Sequence, residues 1–394
     1  MASARAVAQA RNIDDLRSLA RRRVPRFSFE YVDGGAEDET TMAANRASFA
    51  ATRILPRQLA GIRAVDMSVD ILGKTSQLPF AVAPTGYNGL LAKNGDLVLA
   101  RTARLAGIPF TQSTMSSSSI EEVARVIDGG RHWFQLYMLK DTAITRRLVE
   151  RAQQAGCEAL VLTSDAIVLG NRETDKHNYA SPGKLTWGAK LDVARRMAWL
   201  LDVVAPHGPP GFGNLAEFLP RGQTSAIDGA RFISAQMDTA LSWETVDWLR
   251  SIWPHKLVVK GIMRVEDALA AAERGVDAIV VSNHGGRQLD GTASSLEVLS
   301  AIGKPLNGRC DIILDSGVRR GSDIFKALAL GAKAVLCGRA MLYGLAAGGA
   351  TGAARAVEIL RTELERTMML AGSSSLMQID RSALCVASGS FLHR

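Results

Sequence analysis

The sequence predicts an α/β fold of the (β/α)₈ TIM barrel class, a single domain carrying a long insertion after its fourth strand. Three observations predict it. Eight short runs are apolar on both faces, as strands buried on both sides of a parallel sheet must be. Most of them start roughly 22 to 33 residues apart, room for a strand, a crossover helix and two short loops. Polar residues or glycines close nearly every run, at the strand ends where barrels of this class place their chemistry.

In chain order the runs are PFAVAP from Pro79, IPFTQS from Ile108, HWFQLY from His132, ALVLTSD from Ala159, KLVVKG from Lys256, AIVVSN from Ala278, DIILDS from Asp311 and AVLCG from Ala334. Their ends present Thr85 and Gly86, Ser113, Gln135 and Tyr137, Thr163 and Asp165, Lys260, Asn283 and His284, Asp315, then Gly338 and Arg339. An open doubly wound sheet is the competing arrangement on spacing alone; eight βα units close more naturally into a barrel.

Two stretches fall outside this repeat. A helical segment over about 13–50 precedes the first strand. An insertion over about 177–230 occupies the longest interval, between the fourth and fifth runs. In it Val193, Met197, Leu200, Leu201 and Val204 share one helical face, with Lys190, Arg195 and Arg196 elsewhere, before the patch PHGPPGFG from Pro206. Such a helix packs on the barrel, lies on an acidic membrane through about 190–215, or fills a partner's groove.

The chain of 394 residues is 47% hydrophobic and 22% charged, the balance of a protein with a large core. Its formal charge of +8 is scattered, without a basic stripe interleaved with aromatics, so nucleic-acid binding is not expected. The dense run Arg21 to Arg23 reads as a solvated helix end. Cys157, Cys310, Cys337 and Cys385 stand far apart without a CxxC pair and read as reduced packing residues, so no metal is expected. No segment approaches the roughly 20 apolar residues of a membrane span, and the N-terminus lacks a secretory pattern. The expected location is the cytoplasm, with peripheral attachment to the inner face of the cell membrane open.

The densest chemical signal is SNHGGRQLDG, Ser282 to Gly291, directly after the sixth strand. His284 there is a usable base near neutral pH, although a lone histidine is usually structural. Arg287 on the same loop and Arg172 after the fourth strand can clamp one carboxylate between them. Asp165 can orient His284 or pair with Arg172, and the sequence does not choose. Lys260 suits a Schiff base or a positive charge against a cofactor ring. Glycines and arginines in DSGVRRG from Asp315 and CGRA from Cys337 suit a phosphate site, hence a phosphorylated cofactor.

SNHGGRQLDG, DSGVRRGSDIFKALALGA and EYVDGGAEDE from Glu30 together resemble the FMN-dependent family that oxidises L-2-hydroxy acids, over about Ile13 to Ala383. PTGYNGLLAKNGDLVLARTARLAGIPF and QMDTALSWETVDWLRSIWPHKLVVKG are nearest to its membrane-associated, mandelate-oxidising branch. The resemblance implies that His284 is the base and Asp165 its partner, and that Arg172, Arg287, Tyr31 and Tyr137 hold the substrate carboxylate. It implies FMN ringed by Thr85, Gly86, Ser113, Gln135, Thr163, Lys260 and Ser282, with Asp315, Gly317, Arg319, Gly338 and Arg339 on its ribityl and phosphate groups. Gly86 stands where many oxidases of the family have alanine, and Met115 where glycolate oxidase has tryptophan. The implied reaction takes (S)-mandelate or a ring-substituted mandelate to the 2-oxo acid, passing electrons to quinone or another non-oxygen acceptor, in a homotetramer. An oxygen-using oxidase of hydroxymandelate, lactate or glycolate is the alternative. A catalytically silent barrel serving as a binding protein is the reading from another class.

Overall fold

A computed structural model describes residues 4–181, 184–205, 208–220 and 226–386. All eight predicted runs become the strands of one closed parallel barrel: β1 (Phe80–Thr85), β2 (Phe110–Ser113), β3 (His132–Leu136), β4 (Ala159–Thr163), β5 (Lys256–Ile262), β6 (Ala278–Val281), β7 (Asp311–Leu314) and β8 (Ala334–Cys337). Each pairs with its successor, and β8 pairs with β1 through Val335↔Phe80 and Leu336↔Ala81. The doubly wound alternative is excluded, because an open sheet leaves its edge strands unpaired.

The two-residue alternation of a strand explains why the runs are apolar throughout. Ala81, Ala83, Trp133, Val161, Val258, Val280, Ile313 and Leu336 point inward and form the barrel's inner core. Phe80, Val82, Phe134, Leu160, Leu162, Leu257, Val259 and Val335 point outward, against the helical ring. A hairpin of Val69–Ile71 and Lys74–Ser76 seals the N-terminal end, driving Ile71 and Leu72 into the inner core. Arg131 fastens it by donating to Ile71 O at 2.7 Å and Lys74 O at 3.0 Å. Access to the interior is left to the C-terminal strand ends.

The segment before the barrel folds as helices Ile13–Arg23, Arg26–Asp33 and Thr40–Ala51. The first is capped by Asn12, whose side chain accepts from Asp15 N at 2.8 Å, with Asp14 and Asp15 in its first turn and three arginines in its last, as the helix dipole favours. It packs against Arg339–Ala371, two helices that meet at a kink where Gly348 and Gly349 leave helical geometry.

The run Arg21 to Arg23 is not solvated throughout. Arg21 and Arg22 are exposed, but Arg23 is half-buried, donating to Leu91 O and Ala346 O and pairing with Asp202 of the insertion at 2.5 Å. It ties the insertion to the barrel.

The insertion also differs from the single amphipathic helix its spacing suggests. Trp187–Arg195 is helical, the backbone breaks at Arg196 (φ −101°, ψ 51°), and Met197–Val204 resumes as a short helix and a π-turn. The break rotates the second part, so Trp199 and Val203 are buried while Trp187, Leu191, Met197 and Leu201 are more than half exposed. Trp199 is held by its indole N–H on Leu90 O at 2.8 Å. Pro206 and His207, which open the Pro/Gly-rich patch, lie outside the described residues. Cys157, Cys310 and Cys337 are buried, as packing residues are, whereas Cys385 is exposed. Among the described residues no helix is long and apolar enough to cross a membrane.

Candidate active site

The loop after β6 is built to present one imidazole. His284, Gly285 and Gly286 all take positive φ (57°, 67° and 72°), a left-handed succession in which two glycines relieve most of the strain. A side chain on Gly286 would meet Met42 N at 2.6 Å, and one on Gly285 would meet Arg339 Nη1 at 2.8 Å. Asn283 pins the turn by accepting from Gly286 N at 3.2 Å and from Asn45 Nδ2 at 2.9 Å. His284 is the non-glycine residue left to carry the strain, as is common where function demands an orientation.

Its Nδ1 lies 2.8 Å from Asp165 Oδ1, at the end of β4. Of the two partners open to Asp165, the geometry therefore selects His284. Gly261 makes the approach possible: at φ 110°, in the register irregularity of β5, a Cβ there would sit 2.7 Å from Asp165 Cβ. Burial lowers the His284 pKa, opposed by Asp165 and reinforced by the cations Lys260 and Arg172. The imidazole is thus neutral near pH 7, able to take a proton and stabilised by Asp165 once it has done so.

Beneath this pair lies a buried charge network. Lys260 Nζ is 3.1 Å from Asp315 Oδ2 and 4.0 Å from Asp165 Oδ2, and donates to Ser282 Oγ at 2.9 Å. Ser282 Oγ in turn donates to Asp315 Oδ2 at 2.8 Å. Burial alone would lower the Lys260 pKa, but the two carboxylates outweigh it and raise it. Lys260 is consequently a fixed ammonium, which argues against a Schiff base. On the opposite wall Ser113 Oγ donates to Gln135 Oε1 and Gln135 Nε2 donates to Thr163 Oγ1, both at 3.0 Å. These bonds link the ends of β2, β3 and β4 into one polar wall.

The arginines define where anions belong. Among the described residues Arg172, Arg287, Arg319 and Arg339 have no carboxylate within 4.0 Å, while most other half-buried arginines are paired. Arg339 spends its donors on Val32 O, Gly285 O and Gly34 O, and Arg287 donates to Gly34 O at 2.7 Å. Burial and neighbouring guanidiniums push Arg287 down to about 9 and Arg339 to about 10, so both remain cationic at neutral pH in a region short of negative charge. Tyr31 packs beside Arg287, its ring 5.5 Å from the guanidinium carbon and its hydroxyl donating to Gly86 O at 3.3 Å. Burial pushes the Tyr137 hydroxyl up to about 12, with Arg172 pulling the other way. Gly317 and Arg319 follow β7, and Gly338 and Arg339 follow β8, where a helix begins without a side-chain cap.

The mouth thus gathers guanidiniums without carboxylate partners, Arg287 and Arg339 sharing Gly34 O as an acceptor, together with a fixed ammonium and a polar wall. Thr85 Oγ1, at the end of β1, is buried with no hydrogen-bond partner. An orphaned hydroxyl, a fixed lysine and two arginines, Arg319 and Arg339, without a carboxylate partner suit a flat, polar-edged ring on a phosphorylated tail. The residues present fit FMN.

Fold and site together define a flavin-dependent oxidoreductase of the (β/α)₈ class. Residues 20–386 match the model of the FMN-dependent dehydrogenase family, and the chain belongs to that family, whose members oxidise 2-hydroxy acids. It is 43% identical to (S)-mandelate dehydrogenase of Pseudomonas putida, covering 93% of this chain and 92% of the relative. It is 41% identical to L-lactate oxidase of a Nostoc species, covering 96% and 99%. Among solved structures, the monotopic membrane protein (S)-mandelate dehydrogenase superposes with a TM-score of 0.91 at 41% identity, over 96% of this chain and all of that one.

Several residues that build this site escape a reading of strand ends. Gly261 admits Asp165, and Asn214, deep in the insertion, donates to Ser113 O at 3.0 Å. Asp175, in the short helix Glu173–Lys176, is held near Arg172 and Arg287 with its Oδ1 buried and unpartnered. A polar residue inside an insertion carries no sequence signal of the strand end it will reach.

Proposed function

We propose that the chain oxidises an aromatic L-2-hydroxy acid of the mandelate type to its 2-oxo acid, and passes the electrons to quinone at a membrane surface. The observation that supports this most is the juxtaposition of a neutral His284, oriented by Asp165, with Tyr31 and with Arg172 and Arg287, which among the described residues have no carboxylate within 4.0 Å.

In this reading Arg287 and Arg172 bind the substrate carboxylate, aided by the hydroxyls of Tyr31 and Tyr137. Two fixed guanidiniums restrict the substrate to one pose, and that positioning is a large part of catalysis. Bound FMN supplies the two-electron acceptor. His284 takes a proton from the substrate as the 2-hydroxy acid loses two electrons, and Asp165 stabilises the resulting imidazolium. Lys260 would hold positive charge against the cofactor ring, which Thr85, Gly86, Ser113, Gln135, Thr163 and Ser282 would surround. Asp315, Gly317, Arg319, Gly338 and Arg339 would hold its ribityl and phosphate groups.

The aromatic substrate rests on the pocket wall. Gly86 allows the close approach of Met115, whose Cβ a methyl group there would meet at 2.9 Å, and Met115 is polarizable and adaptable. Trp187, Leu191, Met197 and Leu201 supply the membrane contact, with Lys190 packed 4.6 Å from the Trp187 ring centroid among basic neighbours. The reading makes the enzyme a single-domain homotetramer, peripheral on the inner face of the cell membrane.

Anaerobic reduction of the yellow holoenzyme with (S)-mandelate tests it, followed by admission of air or a quinone analogue. Rapid bleaching, slow recovery in air and fast recovery with quinone is the expected result. Fast recovery in air makes the protein an oxidase. Bleaching by lactate or glycolate but not mandelate rejects the substrate.

A further inference from the structure

We infer that Asp96 is a positioning residue for the substrate's side chain: its carboxylate clasps the two loops that bring Gly86 and Met115 face to face. The inference rests on the pocket wall proposed above.

Asp96 is the second residue of the helix Gly95–Leu105 and is fully buried. Its Oδ1 accepts from Asn88 Nδ2 at 2.8 Å, and the same amide donates to Thr85 O at 3.0 Å, bracketing Gly86. Its Oδ2 accepts from Ser117 N at 2.9 Å, two residues beyond Met115. The loops are also bonded directly, Tyr87 N to Met115 O at 2.8 Å and Gly89 N to Ser117 Oγ at 3.0 Å. One buried side chain therefore reaches the loop after β1 with one oxygen and the loop after β2 with the other.

The local sequence serves this contact. A side chain on Gly95 would sit 2.2 Å from Asn88 O, so the helix can approach the Asn88 turn only with glycine there. The helix N-terminus and the converging donors favour an ionised group, which accepts at both oxygens and donates at neither. Burial pushes the carboxyl up to about 6 against the pull of Asn88, Ser117 and Ser116. That desolvation is a cost an apolar packing residue would not bear. What it secures is spacing: a methyl group on Gly86 would lie 2.9 Å from Met115 Cβ and 3.7 Å from the Tyr31 hydroxyl.

The test compares holoenzymes of wild type, Asp96→Asn and Asn88→Ala. kcat and KM are measured separately for (S)-mandelate and (S)-lactate, alongside hydrogen exchange of the peptide spanning 110–120. The amide of Asp96→Asn turns a donor toward Ser117 N or Asn88 Nδ2, so one of the two loops must move away from it. Expected is a mandelate KM raised about tenfold, a lactate KM changed less than about twofold, and faster exchange in 110–120. Asn88→Ala, which removes the other arm, shifts KM the same way and decides alone should Asp96→Asn fail to fold. Equal changes for both acids, or no change in either, overturn the inference. Wild-type flavin that no 2-hydroxy acid bleaches rejects the proposed function itself; should wild type accept other acids, the comparison is between the largest and smallest accepted.

Discussion

Asp165 and Lys260 share the space under His284: Asp165 Oδ1 is 2.8 Å from the imidazole Nδ1, and Asp165 Oδ2 is 4.0 Å from the Lys260 ammonium. The aspartate therefore has two charge partners, and the two affect the histidine in opposite directions. Asp165 raises the His284 pKa and Lys260 lowers it.

The first prediction follows from that opposition. In wild type the acid limb of kcat/KM lies below the ordinary histidine value of 6.5, because burial lowers the His284 pKa. Asp165→Asn removes the group that raises it, so the limb moves further acid. The rate on the plateau falls about 10²–10⁴-fold, since the imidazolium formed in the reaction loses its counter-charge. Stopped-flow flavin reduction across pH 4.5–9 reads both effects; a limb that moves alkaline shows that His284 is not the titrating base.

Arg287 tests the anion site. Arg287→Lys keeps the charge but loses the planar fork and the bond to Gly34 O, so KM for the 2-hydroxy acid rises roughly 10²-fold. Arg287→Met removes the charge as well and ends the repulsion between Arg287 and Arg339. Its thermal midpoint is therefore held or raised while substrate binding is lost. Loss of stability in Arg287→Met, by calorimetry, contradicts an uncompensated cation.

How far this site was legible in the sequence depends on what each residue answers to. The eight strands were legible because residues such as Val258 and Val259 must satisfy opposite faces at once, which leaves an unbroken apolar run. Polar residues at the ends of those runs, Lys260 and Asp165 among them, inherit their place from the barrel. The choice between His284 and Arg172 for Asp165 was not legible, since it turns on the backbone room made by Gly261 on another strand. Arg23 looked like a solvated helix end because its partner Asp202 is about 180 residues away. Helical periodicity in the insertion gave no warning of the break at Arg196, a local backbone choice that leaves Trp187 exposed and buries Trp199.

That exposed face gives the third prediction. Trp187→Ser with Leu191→Ser removes two large apolar side chains that contribute little to the core, Trp187 being 85% and Leu191 54% exposed. Co-sedimentation with anionic lipid vesicles falls at least tenfold, while kcat with a soluble acceptor dye stays within twofold, on the order expected from about 1.5–3 kcal/mol per buried large side chain. Unchanged co-sedimentation removes the membrane from the proposal.

Gly86 and Met115 supply the last prediction. A methyl group on Gly86 would stand 2.9 Å from Met115 Cβ, and neither atom can rotate away, because each is fixed by its own backbone. Gly86→Ala must therefore displace a loop that Asp96 and Tyr87 hold in place. The strain is about 1–3 kcal/mol, the usual range for an overpacked site. Part of it appears as a lower melting temperature and part as a raised KM for the aromatic acid. Met115→Gly alone opens the wall and raises that KM by lost contact, yet it also removes the atom the new methyl would strike. The two changes are in direct contact, so their effects on melting temperature are not additive, and Gly86→Ala with Met115→Gly melts above the sum of the single losses. Additive melting shifts in this cycle mean that the backbone yields elsewhere, and that the spacing between Gly86 and Met115 does not set the pocket's width.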